Sequence, residues 1–373
     1  MHNTIKFTDI SSVAAKLKEA RTACGLSTQA AAALIIKRCP GISVSHATIA
    51  NYEKCAGVPG IDMISAFAAV YERPLNWFLE PGLPMTGVRY RLLSSKTSIK
   101  ERNQYESQAR YWLESYIRLE ERLGRPLKGN KRPAITPSMT AMEAALAVRD
   151  SFDLKAVDPV PSVIEMLEKC GVRTMELPTT LAIDGFAARL GSEPVVILNP
   201  AGANDRCRLN AGHELGHVLF GDCDSGKDTT KEMDDRAFEF ASHLLILPEQ
   251  LSAAFSGRSA VRLVQYKERY GISMAAMIYR AEKLGIIDAK TTRWLWMQFS
   301  RRGWRAKEPG TVRSDRAVRF ERLLDQAIAE KTLTWSEAAD VTGIEAGRLR
   351  RRRDRAMGIT EEEVTADVLK MKF

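Results

Sequence analysis

Apolar residues return every three or four positions along most of the chain and at every second position in a few short stretches, a pattern that predicts many helices and a small sheet. Near the start, Val13, Leu17 and Ala20 keep helical spacing, Gly25 stops that helix, and Ser27 can cap the next. Gly41 and Ser43 are expected to open a third helix that runs to Glu53, with Ile49 and Tyr52 turned inward. Residues 89–125 are charged and helical in period, and PLKGNKRPAITPS after them reads as a linker. AMEAALAVRDSF and VPSVIEMLEKCGV then read as amphipathic helices, and TMEL, DGFAARL and PVVILNP as short strands. A helix over roughly residues 205–220, stopped by Gly221, leads to a second long one, TKEMDDRAFEFASHLLILPEQL. The tail predicts two or three further helices. The expected fold class is mainly α with a small β-sheet (α+β).

A chain of 373 residues has room for two or three domains with cores of their own. No apolar run approaches the roughly 18 residues of a spanning helix, and MHNTIKFTDISSV lacks the apolar centre of a signal peptide. A cytoplasmic protein with no membrane partner is the expectation. The six cysteines are scattered and form no C-x-x-C pair, which points to reduced thiols. A net charge of +9 favours polyanionic partners.

The stretch RLNAGHELGHVLFGD carries the candidate chemistry. On a helix, His213 and His217 stand one turn apart on one face, so that two imidazole nitrogens converge on one metal ion. Glu214 lies about 100° round the helix, placed to act on a metal-bound water. Asn210 and Arg206 extend the polar stripe backward. Catalytic zinc takes three protein ligands, so one more should come from the next helix. There Asp234 heads an apolar stripe with Phe238, Ala241 and Leu245, and an acid so placed needs a cation. Asp234 is the expected third ligand, with Asp235 and Glu232 as alternatives; His243 lies on a nearly opposite face. Asn199, Arg206 and Asn210 are candidate substrate or oxyanion contacts, with capping or supporting roles equally open. The strand at residues 194–199 is expected to take an extended peptide by edge pairing.

Two family resemblances extend this reading. Over residues 10–80, LKEAR, GLS, SHATIANYEKC, the proline of GVP and PLNWFL resemble the lambda-repressor-like (XRE-type) helix-turn-helix family. By that resemblance Ser45, His46, Thr48 and Asn51 face the DNA groove and Lys54 lies near the backbone, while Thr28 or Gln29 takes the family's phosphate-binding position. Further on, RCRLNAGHELGHVLF and DDRAFEFASHLLILP, with DGFA, VVILNP and the downstream YKERYGISMAAMIYRAEKLGII, resemble the ImmA/IrrE zinc metallopeptidases. That family usually has Glu where this chain has Asp234.

Together the resemblances imply a helix-turn-helix domain over residues 1–82, a helical connector and linker over 83–135, a zincin-like metallopeptidase domain over 136–255 and a helical C-terminal region over 256–373. They imply a homodimeric transcriptional regulator that binds a double-stranded DNA operator, carries Zn2+, and cleaves a protein substrate such as a repressor of stress, phage or mobile-element genes. The alternative is a regulator whose zincin-like domain senses a metabolite or partner without cutting. In the tail, TWSEAADVTGIEAGRLRRR looks loosely like half of a helix-turn-helix, although its basic run reads more simply as a charged helix face.

Overall fold

The computed structural model describes residues 10–90, 97–131, 133–224, 230–256 and 259–358. Helices α1 (Ile10–Ala23), α2 (Thr28–Arg38), α3 (His46–Glu53), α4 (Ile61–Tyr71) and α5 (Leu75–Leu79) come first, then strand β1 (Met85–Tyr90) and the long helix α6 (Ile99–Leu123). After α7 (Ala141–Ser151) and α8 (Val163–Lys169) come β2 (Arg173–Glu176), β3 (Gly185–Leu190) and β4 (Glu193–Leu198). Next are α9 (Asn204–Leu219), a 3-10 turn at Asp222–Asp224, α10 (Lys231–Leu245), α11 (Pro248–Phe255), α12 (Ala260–Tyr270), α13 (Met274–Lys283) and α14 (Ala289–Arg301). The last are α15 (Arg319–Ala329), α16 (Trp335–Thr342) and α17 (Ala346–Met357). The fold is mainly α with one small mixed sheet, as the hydrophobic pattern predicts.

The chain divides into two compact units that do not follow the four consecutive segments expected from sequence. The first gathers α1 to α5, α6 and α15 to α17. Helix α6 is not a free connector, because Ala109, Trp112, Leu113, Tyr116 and Leu119 are buried along it and it packs on α1, α15 and α16. A capping box between Ser98 and Glu101 starts it, and Gly124 in the left-handed region ends it. Its Glu114 takes a buried ion pair from Lys16 at 2.7 Å, and the Lys16 ammonium also lies 4.1 Å from the centre of the Trp77 ring. A two-pronged bridge from Arg21 to Glu53, at 2.6 and 2.7 Å, ties α1 to the end of α3. Ser45 caps α3, so that helix begins at His46, later than Gly41 and Ser43 suggested.

The second unit holds β1, α7 to α14 and the rest of the sheet. The strand order is β1-β3-β4-β2, with β2 parallel to β4 and the other pairs antiparallel. Strand β4 is therefore interior. Both its edges are occupied, which overturns the expectation that residues 194–199 pair with an extended peptide. The physical reason lies in the run Val195 to Leu198, buried throughout, because a strand covered on both faces needs apolar side chains at every position. PLKGNKRPAITPS is irregular but not a loose linker: the amides of Asn130 and Lys131 donate to the Lys169 carbonyl at 2.9 and 3.0 Å. TKEMDDRAFEFASHLLILPEQL breaks into α10 and α11 because Ile246 is extended and Pro248 starts the next helix.

Candidate metal centre

Helices α9 and α10 lie against each other, and two glycines set how closely. A Cβ on Gly212 would meet the Ala241 Cβ at 3.1 Å, and one on Gly216 would meet the Ala237 Cα at 3.2 Å. That close approach brings the first turn of α10 to the face of α9 that carries the histidines. The Nε2 atoms of His213 and His217 are 3.1 Å apart, and Asp234 Oδ1 is 3.3 Å from His213 Nε2. One potential ligand atom from each of the three residues lies within 4.8 Å of the others. In a tetrahedron with zinc–ligand bonds of about 2.0–2.1 Å, ligand atoms stand about 3.3 Å apart, so this donor set fits such an ion. His213, Glu214 and His217 are buried at 2%, 1% and 0% exposure, and Asp234 is half-buried. Asp235 and Glu232 are not part of the cluster.

A second layer fixes the histidine face. His217 Nδ1 is 2.8 Å from Asp222 Oδ2, so Nδ1–H donates to the carboxylate and leaves the Nε2 lone pair for a metal. The other oxygen of Asp222 accepts from Arg236 at 2.8 Å, and the Arg236 guanidinium stacks 4.1 Å from the centre of the Phe220 ring. The Asp222 carbonyl accepts two bonds from Arg89, at 2.9 and 2.6 Å. Arg89 belongs to β1, which reaches this turn only because Gly87 is a glycine. Its φ is +60°, and a Cβ there would sit 1.9 Å from the Cys223 carbonyl oxygen. The support thus runs from β1 through the turn at Asp222 to His217. Sequence reading missed Asp222, Arg236, Arg89 and Gly87. Asp222 had a signal, being the first carboxylate after the helix that carries the two histidines.

Burial pushes the Cys223 thiol up to about 12, so it stays protonated beside the centre. His243 accepts from Arg280 at 2.6 Å, and burial together with that guanidinium pulls its pKa down to about 4. It is a neutral packing residue outside the cluster.

The substrate candidates fare unevenly. Asn199 uses its side-chain amide to donate to the Thr179 and Ile183 carbonyls at 3.1 and 3.0 Å, and its oxygen accepts from Ala201 N at 3.2 Å. It clamps a loop, so its amide is spent before any substrate arrives. Arg206 pairs with Asp184 at 2.8 Å and stays largely exposed, whereas Asn210 is buried on α9. Of the groove-facing candidates, Gln29, His46, Asn51 and Lys54 are exposed on α2, α3 and the end of α3. Ser45 instead serves as the cap of α3, accepting from Thr48 N at 3.0 Å, with its hydroxyl 2.8 Å from that of Thr48. Those two hydroxyls are engaged with each other and with the helix start. No described helix is long and apolar enough to cross a membrane. All six cysteines are free.

Residues 167–282 match a peptidase-family model described as the IrrE N-terminal-like domain. The match takes in the histidine pair, Glu214 and Asp234, and extends into α13. No curated protein and no solved structure matches the chain.

Proposed function

We propose that the second unit is a zinc-dependent peptidase and that the first binds DNA, making the protein a transcriptional regulator whose output includes cleavage of a protein such as a repressor. The observation that carries this reading is the meeting of His213, His217 and Asp234 on two helices whose separation is set by glycines, with Glu214 buried beside them. The match of residues 167–282 to a peptidase family supports it independently. His213 and His217 would offer Nε2 and Asp234 a carboxylate oxygen. Bound there, a zinc ion would supply a lowered water pKa, towards about 7, and polarisation of a peptide carbonyl.

The protein's own groups do the remainder. Asp222 holds His217 in the tautomer that leaves Nε2 without a proton. Glu214 takes a proton from water and passes it to the departing amine, a task for a carboxylate that stands beside the histidine face but is not itself a ligand. The test replaces Glu214 by Gln in the full chain and follows both metal content and cleavage of candidate repressor proteins. Zinc is expected to stay while cleavage falls at least 10²-fold, the scale of losing a general base. Undiminished cleavage by this variant removes Glu214 from the mechanism. A wild-type protein that binds zinc yet cleaves no candidate turns the reading towards a non-proteolytic sensor.

The DNA half of the proposal rests on five short helices with Gln29, His46, Asn51 and Lys54 exposed around α2 and α3. A homodimer would read an inverted repeat with half-sites about one helical turn apart. Asn51→Ala is expected to erase preference for that repeat while leaving salt-sensitive binding, because phosphate contacts carry no sequence information. An unchanged footprint with Asn51→Ala displaces α3 from the groove.

A further inference from the structure

Within the first unit, the corner between α4 and α5 and the turn between α16 and α17 enclose a groove of about 600 Å³. Arg73 lines it at 8% exposure. Its guanidinium lies 3.5 Å from the centre of the Tyr111 ring, donates to the Glu72 carbonyl at 3.1 Å, and has a buried Nε with no hydrogen-bond partner. Arg348 and Arg351 line the same groove. Among the described residues no carboxylate forms an ion pair with any of the three. The acids around the rim are otherwise placed: Glu345 spends its carboxylate on the amides of Gly347 and Arg348 at 2.6 and 2.9 Å, while Glu72 and Asp340 are exposed.

A guanidinium taken out of water without a counter-charge is costly, and a like charge beside it adds to the cost. Elsewhere in this unit the buried Lys16 is paired with Glu114, and even the half-buried Arg21 is paired with Glu53. Burial pulls both Arg73 and Arg348 below the ordinary arginine range, the Arg73 charge lowers Arg348 further, and Glu72 offsets only part of either shift. Guanidinium groups with planar forks are suited to oxyanions, which they bind with two parallel hydrogen bonds. The volume lies within the range of small-molecule pockets and exceeds what a lone ion fills.

We infer that this groove is a binding site for a small phosphate-bearing molecule, held by Arg73 and Arg348 with Arg351 at its mouth. A DNA backbone, being a broad surface, does not reach a group buried as deeply as Arg73. Because the groove is walled by α4 and α5 on one side and by α16 and α17 on the other, a bound anion ties the C-terminal helices to the five N-terminal ones.

The probe is inorganic phosphate, titrated into the full-length protein at constant ionic strength while thermal unfolding is followed by tryptophan fluorescence, to which Trp77, Trp112 and Trp335 of the first unit contribute. Wild type is expected to show a saturable rise in Tm of a few degrees by about 10 mM phosphate, since a ligand that binds only the folded state stabilises it. Arg348→Gln and Arg73→Lys should lose the rise, and Lys54→Ala should keep it. If Arg73→Lys does not fold, Arg348→Gln decides alone, because that side chain is only half-buried and forms no ion pair. No saturable shift in wild type, or an equal shift in Arg348→Gln, overturns the site. A shift abolished by a saturating DNA duplex also overturns it, by assigning the arginines to the DNA backbone.

Discussion

Replacing Asp222 by Asn keeps the shape of the side chain and removes its charge. The wild-type carboxylate accepts from His217 Nδ1 and from Arg236, each at 2.8 Å. An amide has only one accepting oxygen. If that oxygen faces His217, the amide NH2 faces the Arg236 guanidinium, and two donors meet. If it faces Arg236, the NH2 points at His217 Nδ1, which must then give up its proton to Nε2 and lose the lone pair a metal needs. Either arrangement weakens the ligand, and loss of such an outer partner typically lowers metal affinity about 10- to 100-fold, or roughly 1.4–2.8 kcal/mol. A stability cost of about 1–3 kcal/mol accompanies it, from the broken bond to a buried group. Arg236 stays partly exposed, so water takes over part of its lost interaction, and the lower end applies. Zinc affinity is measured by competition with a chromophoric chelator, alongside circular dichroism to confirm the fold. A folded Asp222→Asn protein with zinc affinity within about twofold of wild type refutes the argument that this carboxylate sets the His217 tautomer.

Gly87→Ala should lower both Tm and zinc affinity, because the left-handed backbone resists a side chain and the new Cβ meets the Cys223 carbonyl oxygen; a Tm equal to wild type contradicts the close approach of β1 to the Asp222 turn. His243 has a folded pKa of about 4, below the ordinary histidine value of 6.5. The unfolded chain therefore binds the extra proton first as pH falls, and the stability this neutral group supplies is complete above pH 6.5 and is lost between pH 6.5 and about 4. Denaturant unfolding across that range should show a shallower slope in His243→Gln, and an identical slope places the acid sensitivity elsewhere.

The parts of the site legible in the sequence were those set by helix period. His213, Glu214 and His217 are neighbours within two turns, and Asp234 could be placed because it heads an apolar stripe on the next helix. Asp222, Arg236 and Arg89 were hidden for a different reason: Arg89 meets Asp222 across 133 positions of sequence, and nothing local records that pairing. Strand β1 escaped notice because it is short, carries Gly87 and sits beside a charged helical run, and only pairing with β3 makes it a strand. The interior position of β4 was readable in VVIL, whose unbroken apolar character argues against a free edge. Ser45 and Thr48 read as groove contacts because serine and threonine serve both DNA phosphates and helix starts, and here the Ser45 hydroxyl also caps α3 and bonds to that of Thr48. The long reach of α6 between the N-terminal helices and the tail follows from its aromatic face, which requires partners that a connector would not supply.

A peptidase centre of this kind requires that His213, His217 and Asp234 hold one zinc ion. Elemental analysis of purified wild-type protein and of His217→Ala tests it most directly. About one zinc per chain in wild type and none in the variant is the expected result for a three-ligand site. Zinc retained in His217→Ala, or absent from wild type after purification in zinc-containing buffer, contradicts it.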